Sequence, residues 1–262
     1  MKILITGNQA RAMSNFWTVL IRRMVRLGHD LLCVVPADAS PEETAWREKL
    51  STLGVRLALY PLDRKGLNPF ADIRALCSLR SIIAGEQPDV FFAYTIKPVI
   101  YGSLAAALAG APPKARRFVM ITGLGYTFEA DSGLKRLLMR VTARLYRTAF
   151  ARSGTVFFQN GDDRALFERL SIVPPGVAVR LTRGTGVDLE YFSARPRAEG
   201  PPLFLFVGRL LEAKGLRDFM TAAALVRRRR PEARFAILGP EEKGPGAVPL
   251  AEVLACQDKG LV

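Results

Sequence analysis

Apolar positions in this chain follow two alternating periods. Continuous apolar runs at Lys2 to Thr6, Leu31 to Val35, Arg56 to Tyr60 and Val90 to Ala93 have the length and composition of buried strands. Stretches with helical spacing lie between them. Asn15 to Leu27 carries Phe16, Val19, Leu20, Met24 and Leu27 on one stripe, with Arg22, Arg23 and Arg26 beside them, and Gly28 ends it. Glu42 to Leu53 and Asp72 to Ala84 read as the next helices. Such alternation predicts a doubly wound parallel sheet of the α/β class, whose ligands bind outside the C-terminal ends of the strands.

The pattern continues with strands at Arg117 to Ile121, Thr155 to Gln159 and Val179 to Thr182, and helices at Leu134 to Arg152 and Asn160 to Leu170. Ala194 to Pro202, rich in proline, glycine and charge, reads as a linker. Beyond it come a buried strand (Leu203 to Val207), an amphipathic helix (Leu216 to Arg230) and a strand (Arg234 to Leu238), then a polar, proline-containing stretch, Gly239 to Val262. The expected division is a first domain over 1–190, a linker over 191–202 and a second domain over 203–262. Two strands and one good helix cannot bury both faces of a parallel sheet. The second domain is therefore expected to be incomplete, partly ordered and aggregation-prone at its open sheet edge.

Charge changes the picture next. A net charge of +14 favours anionic partners: nucleic acid, an anionic membrane surface or phosphorylated substrates. Nucleic acid is disfavoured, because the arginines are scattered over several helices without interleaved aromatics. Three cysteines, Cys33, Cys77 and Cys256, lie far apart with no C-x-x-C, which argues against a disulfide framework or a zinc site and fits a reducing compartment. The N-terminal apolar run is too short for a signal peptide, and Val99 to Pro113 is too short and interrupted to span a bilayer. A cytoplasmic protein that can touch a membrane is expected.

Candidate chemistry concentrates in Gly208-Arg209-Leu210-Leu211-Glu212-Ala213-Lys214-Gly215, between the strand ending at Val207 and the helix starting at Leu216. A helix N-terminus offers unpaired N–H groups and a positive dipole end, and Arg209 and Lys214 add full charges, so a diphosphate is the suggested ligand. An ordinary strand-to-helix loop with two solvated cations has the same spacing. Gly7 and Asn8 after the first strand, and Tyr94, Thr95 and Lys97 after the fourth, stand at the binding edge. Lys97 is equally a surface cation before a proline. Gly123 and Gly125, followed by Tyr126, let the backbone approach a ligand or make a flexible loop. His29, the single histidine, falls at the opposite edge in a structural place, which leaves no histidine-based catalysis. On Leu134 to Arg152, Arg136, Arg140, Arg144 and Arg147 share one face while Leu134, Leu137, Leu138, Val141, Leu145 and Ala149 share another. That helix either lies on anionic lipid or packs its apolar side inward as an outer helix. A dinucleotide enzyme is not supported, since Gly7-Asn8-Gln9-Ala10 lacks the G-x-G-x-x-G turn.

Taken in order, these motifs resemble glycosyltransferase family 4, which has the GT-B architecture: a complete N-terminal Rossmann-like domain and, here, an incomplete second one. The resemblance rests on Asn15-Phe16, Gly28-His29, Tyr94 to Pro98 with Tyr101-Gly102-Ser103, Thr122 to Tyr126, Phe158-Gln159-Asn160 with Asp162-Asp163, Gly184 to Asp188 with Phe192, and Gly208-Arg209 with Lys214-Gly215. The branch it resembles adds N-acetylgalactosamine, galacturonic acid or related sugars to undecaprenyl-diphosphate acceptors for bacterial surface glycans. The resemblance implies a retaining, metal-independent transfer from a UDP-sugar, with no cofactor beyond that donor. It implies Arg209 and Lys214 as the catalytic pair on the donor diphosphate, with Gly208 and Gly215 framing them. Gly7, Asn8, Tyr94, Lys97, Gly123, Gly125 and Tyr126 would line the acceptor side. Arg136, Arg140, Arg144 and Arg147 would meet the inner face of the cell membrane. Family members continue further and carry paired glutamates on the donor that have no counterpart here. The alternative is a catalytically inactive, truncated remnant that binds membrane or a partner transferase.

Overall fold

The structure is a computed structural model. It describes every residue except 65, 67, 125–132, 197, 198, 243 and 245, together with the side chains of 134 and 135. The chain forms two compact units, Met1–Ser193 and Ala194–Val262.

The first unit is a seven-stranded, all-parallel sheet of β1 (Lys2–Thr6), β2 (Asp30–Pro36), β3 (Arg56–Tyr60), β4 (Val90–Tyr94), β5 (Arg117–Ile121), β6 (Thr155–Phe158) and β7 (Ala178–Leu181). Its order is β3-β2-β1-β4-β5-β6-β7. The order reverses between β1 and β4, where Ile3 pairs with Leu31 on one side and Val90 on the other. Such a switch point leaves a crevice at the strands' carboxyl ends. Strand alternation divides the core. Leu4, Leu32 and Val34 face α4 (Pro69–Glu86), α5 (Ile96–Ala109), α6 (Gly133–Phe150) and α7 (Gly161–Arg169). Ile3, Ile5, Leu31, Cys33 and Val35 face α1 (Ala10–Phe16), α2 (Thr18–Arg26) and α3 (Pro41–Ser51).

Three local features depart from the sequence pattern. The helix expected over Asn15 to Leu27 begins earlier and is split at buried Trp17. Thr18 Oγ1 donates back to the Ser14 carbonyl, a side-chain bond that bends helices. α5 was not anticipated. It is apolar nearly all round, so it shows no amphipathic period. Pro98 is tolerated in its first turn, and Gly102 sits where a Cβ would come 2.8 Å from the Phe91 ring. Asn160, part of the family-like motif, is the N-cap of α7 and accepts from the Asp163 N–H at 2.7 Å.

Burial also separates the thiols. Cys33 is fully buried and its thiol is pushed up to about 12 by desolvation, whereas Cys77 on α4 is exposed. The thiolate is the reactive form. Thiol titration of the native protein should therefore show a fast phase that Cys77→Ser diminishes, leaving only the contribution of the partly exposed Cys256, with Cys33 silent until denaturant is added. A fast phase surviving in Cys77→Ser and assigned to Cys33 by mass spectrometry would contradict this burial.

The second unit pairs β8 (Leu203–Val207) with β9 (Arg234–Leu238) in parallel, packed by α8 (Leu216–Arg229) and α9 (Leu250–Asp258). Leu210, Leu216, Met220, Val248 and Val253 make its small core. α9 lies in the polar, proline-containing stretch, for which the sequence pattern predicts no helix. Arg217 holds it with two bonds to Glu252, at 2.9 and 3.1 Å. The buried strand expected at Leu203 to Val207 is corrected: Leu205 is 54% and Val207 68% exposed. Among the described residues β8 pairs with β9 alone, which leaves its other edge open.

Candidate functional site

In the first unit, the carboxyl ends of β1, β4 and β5 open into a cleft of about 270 Å³. Asn8, Thr95, Thr122 and Gly123 line it from the three loops, and Leu62, Arg64, Ile96 and Lys97 from its side. Gly123 has φ +145, a region natural to glycine. Thr95 has φ +66 and ψ 160, which a β-branched residue rarely adopts, at a cost of about 1–3 kcal/mol.

The residues expected at this rim have different fates. Asn8 and Gly123 line the cleft. Tyr94 does not: it is 2% exposed, with its ring 4.8 Å from that of Trp17. This corrects its expected place on the acceptor side. A continuous apolar stack draws the ring inward, and burial drives its hydroxyl pKa well above the ordinary value. Gly7 is the floor that the Tyr94 ring rests on, since a Cβ there would lie 2.3 Å from the ring. Lys97 reaches the cleft wall, but its ammonium is saturated. It donates to the carbonyls of Asp63 at 2.7 Å and Gly66 at 2.8 Å, and to Asp72 Oδ1 at 2.7 Å. The expected ligand cation is thus a clamp on the 63–72 segment. Gly125 and Tyr126 lie outside the described residues.

The N-terminus of α1 is closed to an anionic ligand as well. The Ala10 N–H donates to buried Glu43 Oε2 at 2.8 Å, so a protein carboxylate already occupies the position a phosphate would take after β1.

In the second unit, Gly208 to Gly215 is held by backbone bonds. Leu210 N–H reaches the Pro240 carbonyl at 3.1 Å, Glu212 N–H that of Gly246 at 2.8 Å, and Val248 N–H that of Leu210 at 2.9 Å. Gly215 (φ 73, ψ 24) turns the chain into α8. The two expected cations differ. Arg209 is paired with Glu242 Oε2 at 2.9 Å. Lys214 is exposed; its backbone N–H donates to the Leu211 carbonyl at 3.1 Å, and its ammonium makes no hydrogen bond or ion pair among the described residues. Of the two cations on this turn, Lys214 is the one whose charge is not answered by a carboxylate among the described residues.

Comparison with known proteins gives this geometry its setting. Residues 12–184 match the model of the glycosyl transferase 4-like domain, and 188–252 match that of glycosyl transferases group 1. The chain belongs to the glycosyl transferase 4-like family. It is 24% identical, over 95% of its length, to an N,N'-diacetylbacillosaminyl-diphospho-undecaprenol α-1,3-N-acetylgalactosaminyltransferase of Campylobacter jejuni. It is 26% identical, over 72% of its length, to a UDP-Gal:α-D-GlcNAc-diphosphoundecaprenol α-1,3-galactosyltransferase of Escherichia coli. The matches span 66% and 50% of those two relatives. Among solved structures, a UDP-GlcNAc 2-epimerase of Neisseria meningitidis with UDP-GlcNAc bound superposes at TM-score 0.62 with 15% identity, covering 98% of this chain and 68% of that one. Solved glycosyltransferases share the fold, which is GT-B.

The glycosyl transferase 4-like unit also carries the basic helix α6, and its faces differ from those expected. Leu137 and Val141, expected to pack inward, are 56% and 49% exposed beside Arg136, Arg140 and Arg144. Ala149, one of the residues placed on the apolar face, does pack inward, together with Tyr146 and Phe150. Arg147 bonds the Ser171 carbonyl, while none of these four arginines pairs with a carboxylate among the described residues. The exposed side of α6 therefore sets an apolar row beside a basic row without carboxylate partners among the described residues. No helix among the described residues is long and apolar enough to cross a membrane.

Sequence reasoning missed Arg64 and Gln9. With its amide oxygen turned to Arg64, Gln9 accepts from Nη1 at 2.6 Å and Nη2 at 2.9 Å. Arg64 sits in a segment without a motif, and only the clamp by Lys97 reveals its place.

Proposed function

We propose that the chain is glycosyltransferase machinery that moves a sugar from a UDP-sugar to a lipid-linked, undecaprenyl-diphosphate acceptor during surface-glycan synthesis. The observation that carries this reading is Lys214, a cation without a carboxylate partner among the described residues, at the opening of α8. A positive charge there stabilises the negative charge that grows on a departing diphosphate. The printed activities of the two curated relatives, transfers to diphospho-undecaprenol sugars, support the acceptor class, and one of them names a UDP-sugar donor. The reading includes retention of anomeric configuration and independence from metal. The α6 face, with Arg136, Arg140, Arg144, Leu137 and Val141, would rest on the inner face of the cell membrane, which brings a peripheral protein to a lipid-bound acceptor.

Calorimetric titration with UDP tests this. Charge-assisted contacts of this kind contribute about 1.5–3 kcal/mol, so Lys214→Ala should weaken UDP roughly ten- to hundredfold, while NAD should not bind. Wild-type protein that is folded and does not bind UDP would overturn the donor assignment. A second reading would then lead: a non-catalytic protein that binds membrane or a partner transferase. The Arg209–Glu242 pair, which neutralises one expected donor cation, favours it.

A further inference from the structure

Among the described residues two cations line the cleft of the first unit, Arg64 and Lys97. Lys97 is answered by Asp72 at 2.7 Å. Arg64 has no carboxylate within ion-pair distance among the described residues, and Asp38 senses its charge only from farther away. Its guanidinium is nonetheless placed. The Gln9 oxygen, at the end of the β1 loop, takes one donor from each terminal nitrogen. The segment that carries it is fixed from behind by Lys97, which binds the carbonyls of Asp63 and Gly66 on either side of Arg64. Asp63 Oδ1 in turn accepts from the Gly66 N–H at 2.8 Å. A guanidinium has five donors in a fixed fork, and Gln9 accounts for two of them. The remainder of the fork matches the paired oxygens of a phosphate. Its other described polar neighbours in the cleft, Asn8, Thr95 and Thr122, add neutral groups and no carboxylate.

We propose that Arg64 binds the diphosphate of the lipid-linked acceptor, with Lys97 as the positioning residue that holds it at the cleft. The inference rests on the transferase reading. A sugar-linked diphosphate is carried by both the donor and the acceptor, so the chemistry alone fits either source. The acceptor is favoured because the second unit has a cation of its own, Lys214, on a separately built turn. Two diphosphate substrates then meet two cationic loops.

The test uses the full chain and two ligands, UDP and a short-chain prenyl-diphosphate N-acetylglucosamine, each titrated separately. Loss of a charge-assisted fork should weaken the prenyl ligand about tenfold or more in Arg64→Ala, with UDP affinity unchanged. Arg64→Lys should recover only part, because an ammonium cannot supply the fork. Lys97→Met should weaken the prenyl ligand in the same direction. The double variant should be no weaker than Arg64→Ala alone, a non-additivity that a merely structural lysine would not produce. Unchanged prenyl affinity in Arg64→Ala, while wild-type protein binds UDP through Lys214, overturns this inference and leaves the transferase reading standing. A loss that falls on UDP instead overturns the acceptor assignment. Wild-type protein that binds neither ligand overturns both.

Discussion

Gly239→Ala should be the most damaging single-methyl change in the second unit. A Cβ at Gly239 would lie 1.7 Å from the Gly208 carbonyl oxygen and 2.6 Å from its carbon. Both are backbone atoms, so no rotamer change relieves the clash. β8 and β9 are in register up to Val207 and Leu238, and Gly208 N–H then donates to the Leu238 carbonyl at 3.0 Å. The two glycines are therefore where the strands leave the sheet at closest approach. Overpacking of this severity costs about 3 kcal/mol, a large fraction of the stability of a small unit. Hydrogen exchange on the full chain should show β8 and β9 amides losing protection, and UDP binding should fall with them because the same displacement opens the Gly208–Gly215 turn. Gly208→Ala is the control. Its Cβ would meet only the edge of the Phe206 ring at 3.4 Å, so protection should change little. Greater loss in Gly208→Ala than in Gly239→Ala would refute this account of the turn.

That asymmetry illustrates how far the sequence could be read. Lys2–Thr6, Arg56–Tyr60, Arg117–Ile121 and Arg234–Leu238 are strands with the bounds that the apolar runs predict, because a short run of apolar and β-branched residues between turn residues is a local record, whether the strand is buried like β1 and β5 or half-exposed like β3 and β9. α5 left no such record, since a helix apolar on all sides has no period to detect. Site residues depend on longer reach. Gly208 belongs to a recognisable strand–turn–helix motif, but Gly239, on which its position depends, stands 31 positions away (239 − 208) with no motif around it. Lys97 looked like a free cation because Asp72, 25 residues distant, could not be placed beside it. Arg64 was invisible for the converse reason: its guanidinium has no carboxylate within ion-pair distance among the described residues. Arg209 and Lys214 were legible as a pair, and only the coordinates distinguish the arginine held by Glu242 from the lysine left open.

Gly7→Ala should destabilise the first unit through Tyr94. The added Cβ would lie 2.3 Å from both Cζ and Oη of that ring. The ring has nowhere to retreat. It is 2% exposed, tilted against Trp17 at 4.8 Å and Phe92 at 6.3 Å, and Trp17 is itself buried. A cost of about 2 kcal/mol is expected, which for a unit of this size lowers Tm by roughly 4–8 °C. The cause can be isolated. Tyr94→Leu removes the atoms that collide, so the double variant Gly7→Ala/Tyr94→Leu should be more stable than the two single losses predict, by about 1 kcal/mol or more. Additive losses would mean that the ring is not what requires glycine. Tyr94→Phe completes the argument. The Tyr94 hydroxyl is buried and makes no hydrogen bond among the described residues. A buried polar group without a partner contributes no stability, so its removal should leave Tm unchanged or slightly raised. It should also leave the affinity for UDP and for a prenyl-diphosphate sugar unchanged. A fall in either affinity with stability intact would return Tyr94 to the ligand-facing role that its position after β4 suggests, and would require the ring to turn out of the stack when ligand binds.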